Sequence, residues 1–141
     1  MKHEYVKDWM TRDVLTINPD MALPEVHRLM TENNIRRLPV VNHDRLVGIV
    51  TLGDVREAEP SDATSLSIWE LNYLLSRLKV DKIMTVEPRV INQDATIKDA
   101  SKMMLDYKIS GLPVLDNSGN LVGIITESDI FRMVVQDWHS D

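Results

Sequence analysis

Two short segments of the sequence share the pattern Gly-x-x-Thr-x-x-Asp, the first from Gly48 to Asp54 and the second from Gly123 to Asp129. Each predicts a strand that ends at the threonine and a helix that begins behind it. Backbone N–H groups and the helix dipole at such a point favour a phosphate. The threonine hydroxyl can donate to a phosphate or sugar oxygen, and the aspartate can accept from vicinal ribose hydroxyls. The pattern therefore predicts a nucleotide site in each segment.

The same threonine and aspartate also have a purely structural interpretation. A threonine before a helix accepts from backbone N–H groups of the first turn, and an acidic residue three positions later can complete a capping box. The usual partner at that position is Glu or Gln, whereas here it is Asp54 or Asp129. A capping threonine can still present its hydroxyl outward, so the two interpretations are compatible and both stay open.

A proline-containing strand precedes each motif. Pro39 and Pro113 cannot donate to a β-ladder, which indicates an edge or an irregular strand start whose main-chain groups are free to meet an adenine edge. Arg36 and Arg37 can supply charge for a phosphate, although an arginine pair can equally be solvated surface. Because Ser110 stands where repeat one has Arg36, we expect two unequal sites. The candidate binding residues are Thr51, Asp54, Arg36, Arg37, Leu38 and Pro39 in the first copy, and Thr126, Asp129, Ile109, Ser110, Gly111, Leu112 and Pro113 in the second.

These motifs belong to an internal repeat. Residues 6–41 recur as 80–115 and residues 42–55 recur as 117–130, with one residue added in the turn of the second copy. A long period that repeats once is not a solenoid, and each copy is too small to be comfortably stable alone. We therefore expect one module made of two tandem α/β units. The predicted boundaries are 1–58 for repeat one, 59–79 for a linker and 80–141 for repeat two.

Both repeats predict the order strand, helix, strand, strand, helix. The predicted elements of repeat one are strands 14–17, 37–41 and 45–50, a helix over 22–33 and a short helix from residue 52. Those of repeat two are strands 89–91, 112–115 and 121–125 and helices over 96–107 and 127–138.

The linker contains a predicted amphipathic helix. Ser67 and Glu70 have the spacing of a capping box, and apolar residues follow at helical spacing. This apolar stripe needs a partner surface, either the core of the module or a second subunit. Its members are Ile68, Leu71, Leu74, Leu75 and Leu78.

The composition argues against several classes of function. A formal net charge of −6 argues against non-specific nucleic-acid binding, which needs a basic face. No apolar run approaches the roughly 18 residues of a membrane span, and no secretion signal follows Met1, so we expect a cytoplasmic protein. The sequence contains no cysteine, so disulfides and cysteine-ligated metal are excluded.

Motifs for catalysis are missing from the sequence. It has no P-loop, no Gly-x-Gly-x-x-Gly and no Gly-x-Ser-x-Gly elbow. The histidines at positions 3, 27, 43 and 139 lack ligand spacing, so we expect no metal site. Neither repeat pairs a base with a nucleophile, so an enzyme such as a nucleotide hydrolase is a weaker hypothesis than a non-catalytic module.

In combination, the motifs resemble a known family. The order of the elements, the Met-Thr openings at Met10 and Met84, the Leu-Pro-Val strands and the Gly-x-x-Thr-x-x-Asp tails are similar to a tandem pair of cystathionine β-synthase (CBS) domains. The resemblance covers both repeats. It implies an α/β (α+β) fold in which two β-α-β-β-α repeats pack about a pseudo-two-fold axis. Such pairs, called Bateman modules, usually dimerise into a disc.

The resemblance also implies a ligand. In that family, clefts between the two repeats bind adenosine-containing molecules such as AMP, ADP, ATP or S-adenosylmethionine. It implies that Asp54 and Asp129 hold ribose, with Thr51 and Thr126 near ribose or phosphate. Contacts to the base would come from residues 35–39 and 109–113 and from the segments after Thr11 and Thr85.

The linker around Ser67–Leu71 resembles the CBS part of acetoin-utilisation-type proteins. Those proteins usually carry a further C-terminal regulatory domain, which the sequence up to Asp141 does not reach. The resemblance thus leaves open whether the chain is a whole protein or a fragment.

The sequence therefore predicts a non-catalytic regulatory module, for example in energy sensing, that binds an adenine nucleotide or S-adenosylmethionine and forms a homodimer. A ligand that contacts both repeats would favour one relative orientation of them and relay its presence to an effector protein. The alternative is an interaction module without a ligand, whose sites are degenerate and whose Thr/Asp pairs serve only as caps. The residues do not specify the ligand, any Mg²⁺ dependence or the effector.

Overall fold

The computed structural model of the chain describes residues 4–60 and 65–140, apart from the side chains of residues 139 and 140. Residues 61–64 of the predicted linker lie outside the described residues. In chain order these residues form α1 (Val6–Trp9), α2 (Leu23–Asn33), β1 (Arg37–Asn42), β2 (Arg45–Thr51), α3 (Leu52–Ala58), α4 (Ile68–Arg77), α5 (Val80–Ile83), β3 (Thr85–Val86), β4 (Ile91–Asn92), α6 (Ile97–Tyr107), β5 (Gly111–Leu115), β6 (Leu121–Thr126) and α7 (Glu127–Ser140).

The chain folds as two compact units that do not coincide with the two sequence repeats. The continuous unit comprises Leu15–Pro88, and the discontinuous unit combines Met1–Val14 with Arg89–Asp141. The opening segment of each repeat thus belongs to the unit that holds the rest of the other repeat. The mixed α+β class predicted from the sequence is confirmed.

In the continuous unit the sheet order is β1-β2-β3, with antiparallel neighbours. The hairpin β1–β2 forms as predicted because apolar β-branched runs flank a polar turn. The helix α2 also matches its prediction, and its buried face covers the sheet. The core consists of Ile17, Leu23, Val26, Met30, Leu38, Val40, Val50, Val55 and Val80.

In the discontinuous unit the sheet order is β4-β5-β6, in which β4 and β5 are parallel and β5 and β6 antiparallel. The helix α6 begins behind Thr96, as predicted, and buries its apolar stripe against the sheet. The core consists of Val6, Met10, Ile91, Ile97, Ala100, Met104, Leu112, Val114, Ile125 and Met133.

The exchange of opening segments follows the same pattern in both units. The short helix α1 docks through Val6, whose N–H donates to the carbonyl of Ala95 at 2.8 Å. At the equivalent place α5 docks through Val80, whose N–H donates to the carbonyl of Met21 at 2.9 Å. The strand β3 then pairs with β2, just as Thr11 forms a bridge with Ile124.

The exchanged Met-Thr segments explain the glycine of each repeated motif. A Cβ on Gly123 would lie 2.6 Å from the carbonyl oxygen of Thr11, and one on Gly48 would lie 2.6 Å from Met84 Sδ. Only a residue without a side chain lets the two backbones approach so closely. The glycine of each motif therefore has a structural role, because it permits close packing of the backbones. The threonine and the aspartate are the residues of the motif that can bind a ligand.

Several predicted elements are corrected by the structure. The strand over 14–17 is wrong, because only Ile17 bridges, in parallel, to Val40. The strand over 89–91 is reduced to β4, which begins at Ile91. The helices α1 and α5 and the strand β3 were not predicted, because their partners are remote in the sequence.

The linker helix α4 is confirmed, with the predicted cap at Ser67, but its apolar stripe is poorly covered within the described residues. No residue of α4 is buried, and the side chains of Ile68 and Trp69 are 70% and 81% exposed. Leu75 and Leu78 are its points of attachment to the core of the continuous unit. None of the helices formed by residues 4–60 and 65–140 is long and apolar enough to cross a membrane.

The turns of the two hairpins differ. In the first, His43 and Asp44 both have positive φ angles, of 51° and 64°. In the second, Asp116 organises the turn, since its Oδ1 accepts from the backbone N–H groups of Ser118 and Asn120, each at 2.9 Å. These hydrogen bonds, led by the one from Asn120, lower the pKa of Asp116 below its ordinary value.

Candidate functional site

Strand pairing assembles the candidate residues of each repeat around the end of a β-hairpin. In the continuous unit Arg37 pairs with Thr51, and the N–H of Leu52 donates to the carbonyl of Arg36 at 2.8 Å. In the discontinuous unit Gly111 pairs with Thr126 in the same way. The structure thus brings each Thr-x-x-Asp segment next to the residues that precede its proline. We call the arrangement around Thr51 site one and the arrangement around Thr126 site two.

In site one, Thr51 and Asp54 form a reciprocal cap on α3. The N–H of Thr51 donates to Asp54 Oδ2 at 2.9 Å, and the N–H of Asp54 donates to Thr51 Oγ1 at 3.2 Å. Because the Thr51 oxygen acts as the acceptor, its hydroxyl proton can still be donated to another group. Among the described residues no hydrogen bond reaches Oδ1 of the half-buried Asp54. The cap therefore leaves one donor and one acceptor for a ligand.

A cavity of about 210 Å³ adjoins this cap, and three arginines line it. Arg37 begins β1, Arg36 directly precedes it, and Arg56 comes from α3. No carboxylate among the described residues forms an ion pair with Arg36 or Arg56. The other lining residues are Thr51, Leu52 and Gly53. Positive charge is therefore concentrated here in a protein whose net charge is negative.

The sequence prediction omitted Arg56. A signal was available, because Arg56 lies two residues beyond the motif aspartate and its counterpart in the second repeat is Phe131. A comparison of the two repeats for changes of charge would therefore have identified Arg56 as a candidate residue.

In site two, the carboxylate of Asp129 is occupied by the protein itself. Its Oδ2 accepts from the N–H of Thr126 at 2.9 Å and from the Thr126 hydroxyl at 3.2 Å. Its Oδ1 accepts from the guanidinium of Arg132 at 2.9 Å. Asp129 is only 1% exposed, whereas the side chain of Arg132 is 55% exposed. A ligand that uses this carboxylate therefore competes with Arg132 for Oδ1.

The two proline strands contribute mostly main chain. The side chains of Leu38 and Leu112 are fully buried in the cores, Pro39 and Pro113 are also buried, and Ile109 packs against the core. These residues position the sites and do not present side chains to them.

The prediction of free main-chain groups at the prolines is only partly right. The carbonyl of Pro39 accepts from the N–H of Ile17 at 3.0 Å, so that acceptor is used. The strand β5 is central in its sheet and is not an edge. Pro113 is tolerated there because the short strand β4 pairs only with Val114 and Leu115.

A third Thr-x-x-Asp pair lies outside both sites. Thr96 caps α6 together with Asp99, with donor–acceptor distances of 3.2 and 3.0 Å that match those in site one. The arginine-lined cavity adjoins Thr51 and does not include Thr96 or Asp99. The capping geometry alone therefore does not identify a ligand site, and the arginines distinguish site one from a simple cap.

Other groups offer less chemistry. His27 on α2 forms an ion pair with Glu59 at the end of α3, at 2.5 Å from Nδ1 to Oε1. Within residues 4–60 and 65–140, no three or more histidine, aspartate and glutamate side chains are grouped so that they could hold a metal ion.

The fold and the two Thr–Asp frames define the chain as a paired α+β module with one candidate site in each unit. The profile of the CBS domain matches residues 6–61 and 80–136. The chain therefore belongs to the CBS domain family. The resemblance to a tandem CBS pair that the motifs predicted is confirmed.

Two relatives illustrate where this module occurs. The chain is 35% identical over 132 residues to a CBS domain-containing protein of Dictyostelium discoideum, and the matched region covers 93% of this chain and 91% of that protein. It is 38% identical over 125 residues to the inosine-5'-monophosphate dehydrogenase of Korarchaeum cryptofilum, which involves 89% of this chain but 23% of the dehydrogenase. The chain thus spans less than a quarter of that enzyme.

Solved structures similar to the chain include two with adenosine-type ligands. CBSX2 from Arabidopsis thaliana in complex with AMP superposes with a TM-score of 0.79 and 28% identity, over 95% of this chain and 98% of that one. The CBS pair of protein MJ0100, in complex with 5'-methylthioadenosine and S-adenosylmethionine, superposes with a TM-score of 0.77 and 28% identity, over 94% and 97%.

The predicted resemblance to acetoin-utilisation-type proteins is also confirmed. A protein from Vibrio cholerae assigned to acetoin utilization (AcuB) superposes with a TM-score of 0.77 and 28% identity, over 96% of this chain and 93% of that one.

Proposed function

We propose that the chain is a non-catalytic regulatory module that binds an adenosine-containing ligand at site one. The observation that carries the proposal is the arginine-lined cavity next to the Thr51–Asp54 cap. Similar CBS pairs bind AMP in one case and S-adenosylmethionine with methylthioadenosine in another. The proposed ligand classes are therefore AMP, ADP, ATP and S-adenosylmethionine.

Each group of site one has a proposed role. Asp54 Oδ1 accepts from the ribose hydroxyls, since its other oxygen is held by the cap. The Thr51 hydroxyl donates to a sugar or phosphate oxygen. Arg36 and Arg37 approach the phosphate, and backbone around Leu38 and Pro39 borders the base.

Site two is proposed as a weaker site for the same class of ligand. Asp129 would accept from ribose and Thr126 would lie near ribose or phosphate, beside the backbone of the second proline strand. Binding there requires the ligand to replace the hydrogen bond of 2.9 Å between Arg132 and Asp129. That exchange costs affinity because a charge-assisted hydrogen bond is broken. The residues proposed for that strand are Ile109, Ser110, Gly111, Leu112 and Pro113.

Ligand occupancy is proposed to act on a partner protein through a shift between conformations. The helix α3 carries site one at its start and reaches Glu59, which is paired with His27, at its end. It thereby connects the ligand to the segment that leads into the linker. A homodimer is the proposed assembly, and exposed apolar side chains support it, with Phe131 and Trp138 being 64% and 75% exposed.

The test is isothermal titration of the full chain with AMP, ADP, ATP, S-adenosylmethionine and adenosine. We expect at least one ligand to bind and Asp54→Ala to weaken it more than tenfold. Asp99→Ala is the matched control, because it removes the aspartate of an equivalent cap away from both sites. If no ligand binds, or if Asp99→Ala weakens binding as much as Asp54→Ala, the proposal fails. Native mass spectrometry reports the number of subunits in the same sample.

The second candidate function is a ligand-free interaction module. Two observations favour it: the Thr51–Asp54 pair does act as a cap, and Asp129 already accepts three hydrogen bonds from the protein. Under this alternative the full set of nucleotides leaves the melting temperature unchanged, although a ligand at a hundred times its Kd would add about 2.7 kcal/mol. The assembly would then be intact without any ligand.

A further inference from the structure

The linker helix α4 has one face that packs on the protein and one that is exposed. Leu75 and Leu78 pack against the core of the continuous unit. Because a helix turns through about 100° per residue, Trp69 and Tyr73 lie on the opposite side, and their side chains are 81% and 59% exposed. We call this side the outer face of α4. It consists of Trp69, Glu70, Tyr73, Leu74 and Arg77, all of which are exposed.

The outer face has the composition of a protein interface. Aromatic residues are enriched at interfaces, and large apolar side chains that are exposed together mark interaction sites. Trp69, Glu70, Tyr73 and Leu74 surround a hollow of about 340 Å³, which can receive side chains of a partner. A partner of the outer face must therefore present apolar or aromatic groups.

Charges of opposite sign lie at the two ends of the outer face. In the first turn, Glu70 Oε1 accepts from the Ser67 hydroxyl at 3.0 Å, which leaves Oε2 as an acceptor. In the last turn, Arg77 Nη1 donates to the Tyr73 hydroxyl at 2.7 Å, and the guanidinium lies 4.9 Å from the centre of that ring. A guanidinium has five N–H donors, so others remain for a partner. The outer face therefore offers an anion at one end and a cation at the other.

This charge pattern is complementary to itself. Glu70, Tyr73 and Arg77 are three and four residues apart, so they lie along one line of the helix, as the seam of a coiled coil does. If two copies of α4 pack antiparallel with Tyr73 at the centre, Glu70 of each copy lies opposite Arg77 of the other. Parallel packing would place like charges opposite each other, which is unfavourable. The charges therefore favour an antiparallel pair with two-fold symmetry.

The size of the outer face limits the strength of such a pair. Its side chains expose roughly 500 Å² per copy, since one aromatic side chain contributes about 150–250 Å². Two copies would bury on the order of 1,000 Å² in total, which is at the lower end of specific interfaces. We therefore expect a reversible contact.

We infer that the outer face of α4 is a docking surface for α4 of a second copy of this chain, in an antiparallel arrangement centred on Tyr73. The CBS profile matches residues 6–61 and 80–136, so the contact belongs to the linker and to neither CBS domain. It adds a contact to the proposed homodimer, on which it rests, and does not depend on the proposed ligand.

Disulfide cross-linking of the full chain tests the arrangement, because the sequence contains no cysteine and an introduced one is the only thiol. Tyr73→Cys should form a covalent dimer under mild oxidation, since Cα atoms within about 7 Å can be bridged. Asn72→Cys is the matched control and should stay uncoupled. Asn72 is exposed on the same helix but lies outside the outer face.

Two further cysteine variants test the direction of the pair. In the antiparallel arrangement, the two Glu70 positions are about 10 Å apart, because seven residues of a helix span that length. A mixture of Glu70→Cys and Arg77→Cys should therefore form mixed disulfides, and neither variant should couple to itself. Self-coupling of Glu70→Cys without mixed disulfides would show a parallel pair and overturn the inference.

Analytical ultracentrifugation measures the dimer without a cross-link. Trp69→Ala should raise the dissociation constant at least about tenfold, because a tryptophan often dominates the binding energy of an interface. Ile68→Ala is the control, since it shortens an exposed apolar side chain of the same helix outside the outer face. It should change the dissociation constant by less than about twofold. Circular dichroism checks that both variants fold.

The outcomes separate this inference from the proposed function. If a dimer forms but Tyr73→Cys does not couple, or Trp69→Ala leaves the dissociation constant unchanged, the inference is overturned and the proposed homodimer stands. If the chain is monomeric at every concentration, the inference and the homodimer are both overturned. A nucleotide that binds to such a monomer would leave the proposed ligand class in place.

Discussion

Site one and site two are built on the same seven-residue motif, yet their aspartates differ in burial and in hydrogen bonding. Asp54 is half-buried and uses one oxygen for its cap, whereas Asp129 is 1% exposed and has both oxygens engaged. The difference arises outside the motif, because Arg132 lies one turn further along a long helix. A shared motif therefore fixes where an aspartate stands, and its neighbours decide whether it is available to a ligand.

The largest loss of stability is expected from substitutions of the motif glycines, which pack against the exchanged segments. Gly123→Ala should destabilise the protein by about 3 kcal/mol, because its Cβ would meet the fixed backbone oxygen of Thr11. Gly48→Ala should cost less, about 2 kcal/mol, because the backbone oxygen of Thr85 lies slightly further away, at 2.9 Å, and Met84 Sδ belongs to a flexible side chain. Urea unfolding measures both, and equal losses would contradict the comparison.

Gly53→Ala is the control for these two substitutions. Its Cβ would lie 3.6 Å from the nearest atom, Thr51 Oγ1, which is an ordinary contact. Because alanine is the better helix former, we expect a gain of about 0.5 kcal/mol in the free energy of unfolding.

The next effect concerns the two aspartates. Asp129→Ala should lower the free energy of unfolding by about 2 kcal/mol, because buried donors of Thr126 lose their acceptor. Asp54→Ala should lower it by about 1 kcal/mol, the usual value of a cap. Thermal and urea unfolding of both variants test the ranking. A larger loss of stability for Asp54→Ala would show that burial does not determine how much each aspartate stabilises the fold.

Removing Arg132 should make the two sites more alike. In Arg132→Ala the Oδ1 of Asp129 is released, so binding of adenosine at site two should tighten about fivefold, which corresponds to about 1 kcal/mol. Arg132→Lys keeps a cation near Asp129 and should resemble the wild type. Native mass spectrometry counts bound ligands. If the variant takes up no second ligand, Asp129 is purely structural.

The smallest effect concerns the turn of the second hairpin. The pKa of Asp116 is lowered chiefly by the backbone N–H of Asn120, so its carboxylate stabilises the folded state above its ordinary pKa of 3.8. That contribution should be lost as the pH falls below this value and through the lower folded pKa. Asp116→Asn should flatten the acid limb of the stability profile slightly. Asp44→Asn removes the same charge from the other turn and is the matched control.

Local patterns in the sequence predicted most of the elements. The helices α2 and α6, both hairpins and the caps at Thr51 and Ser67 depend on neighbouring residues, and such features are visible in a linear pattern. The short helix α5 and the strand β3 escaped prediction because their stability comes from partners far away in the chain. Their sequences are too short to show a period.

The candidate sites were predicted in part. Thr51 and Asp54 were found because the motif repeats, whereas Arg56 and Arg132 were missed because both lie beyond the end of the motif. The burial of Asp129 depends on packing that no local pattern reveals. The repeat identifies the residues that both sites share. The residues that make the two sites different, such as Arg56 and Arg132, lie outside the repeated motif.

The exchange of opening segments determines which of the two units can fold first during synthesis. The helix α1 and Thr11 are synthesised before the other described elements, but their partners Ala95 and Ile124 are made much later. The continuous unit can fold once Val86 has emerged from the ribosome. The discontinuous unit can fold only later, after its C-terminal part has been made. Two units built on the same repeated motifs are therefore unequal in folding. The N-terminal segment must stay unpaired and available throughout, and long sequence separations of this kind slow folding.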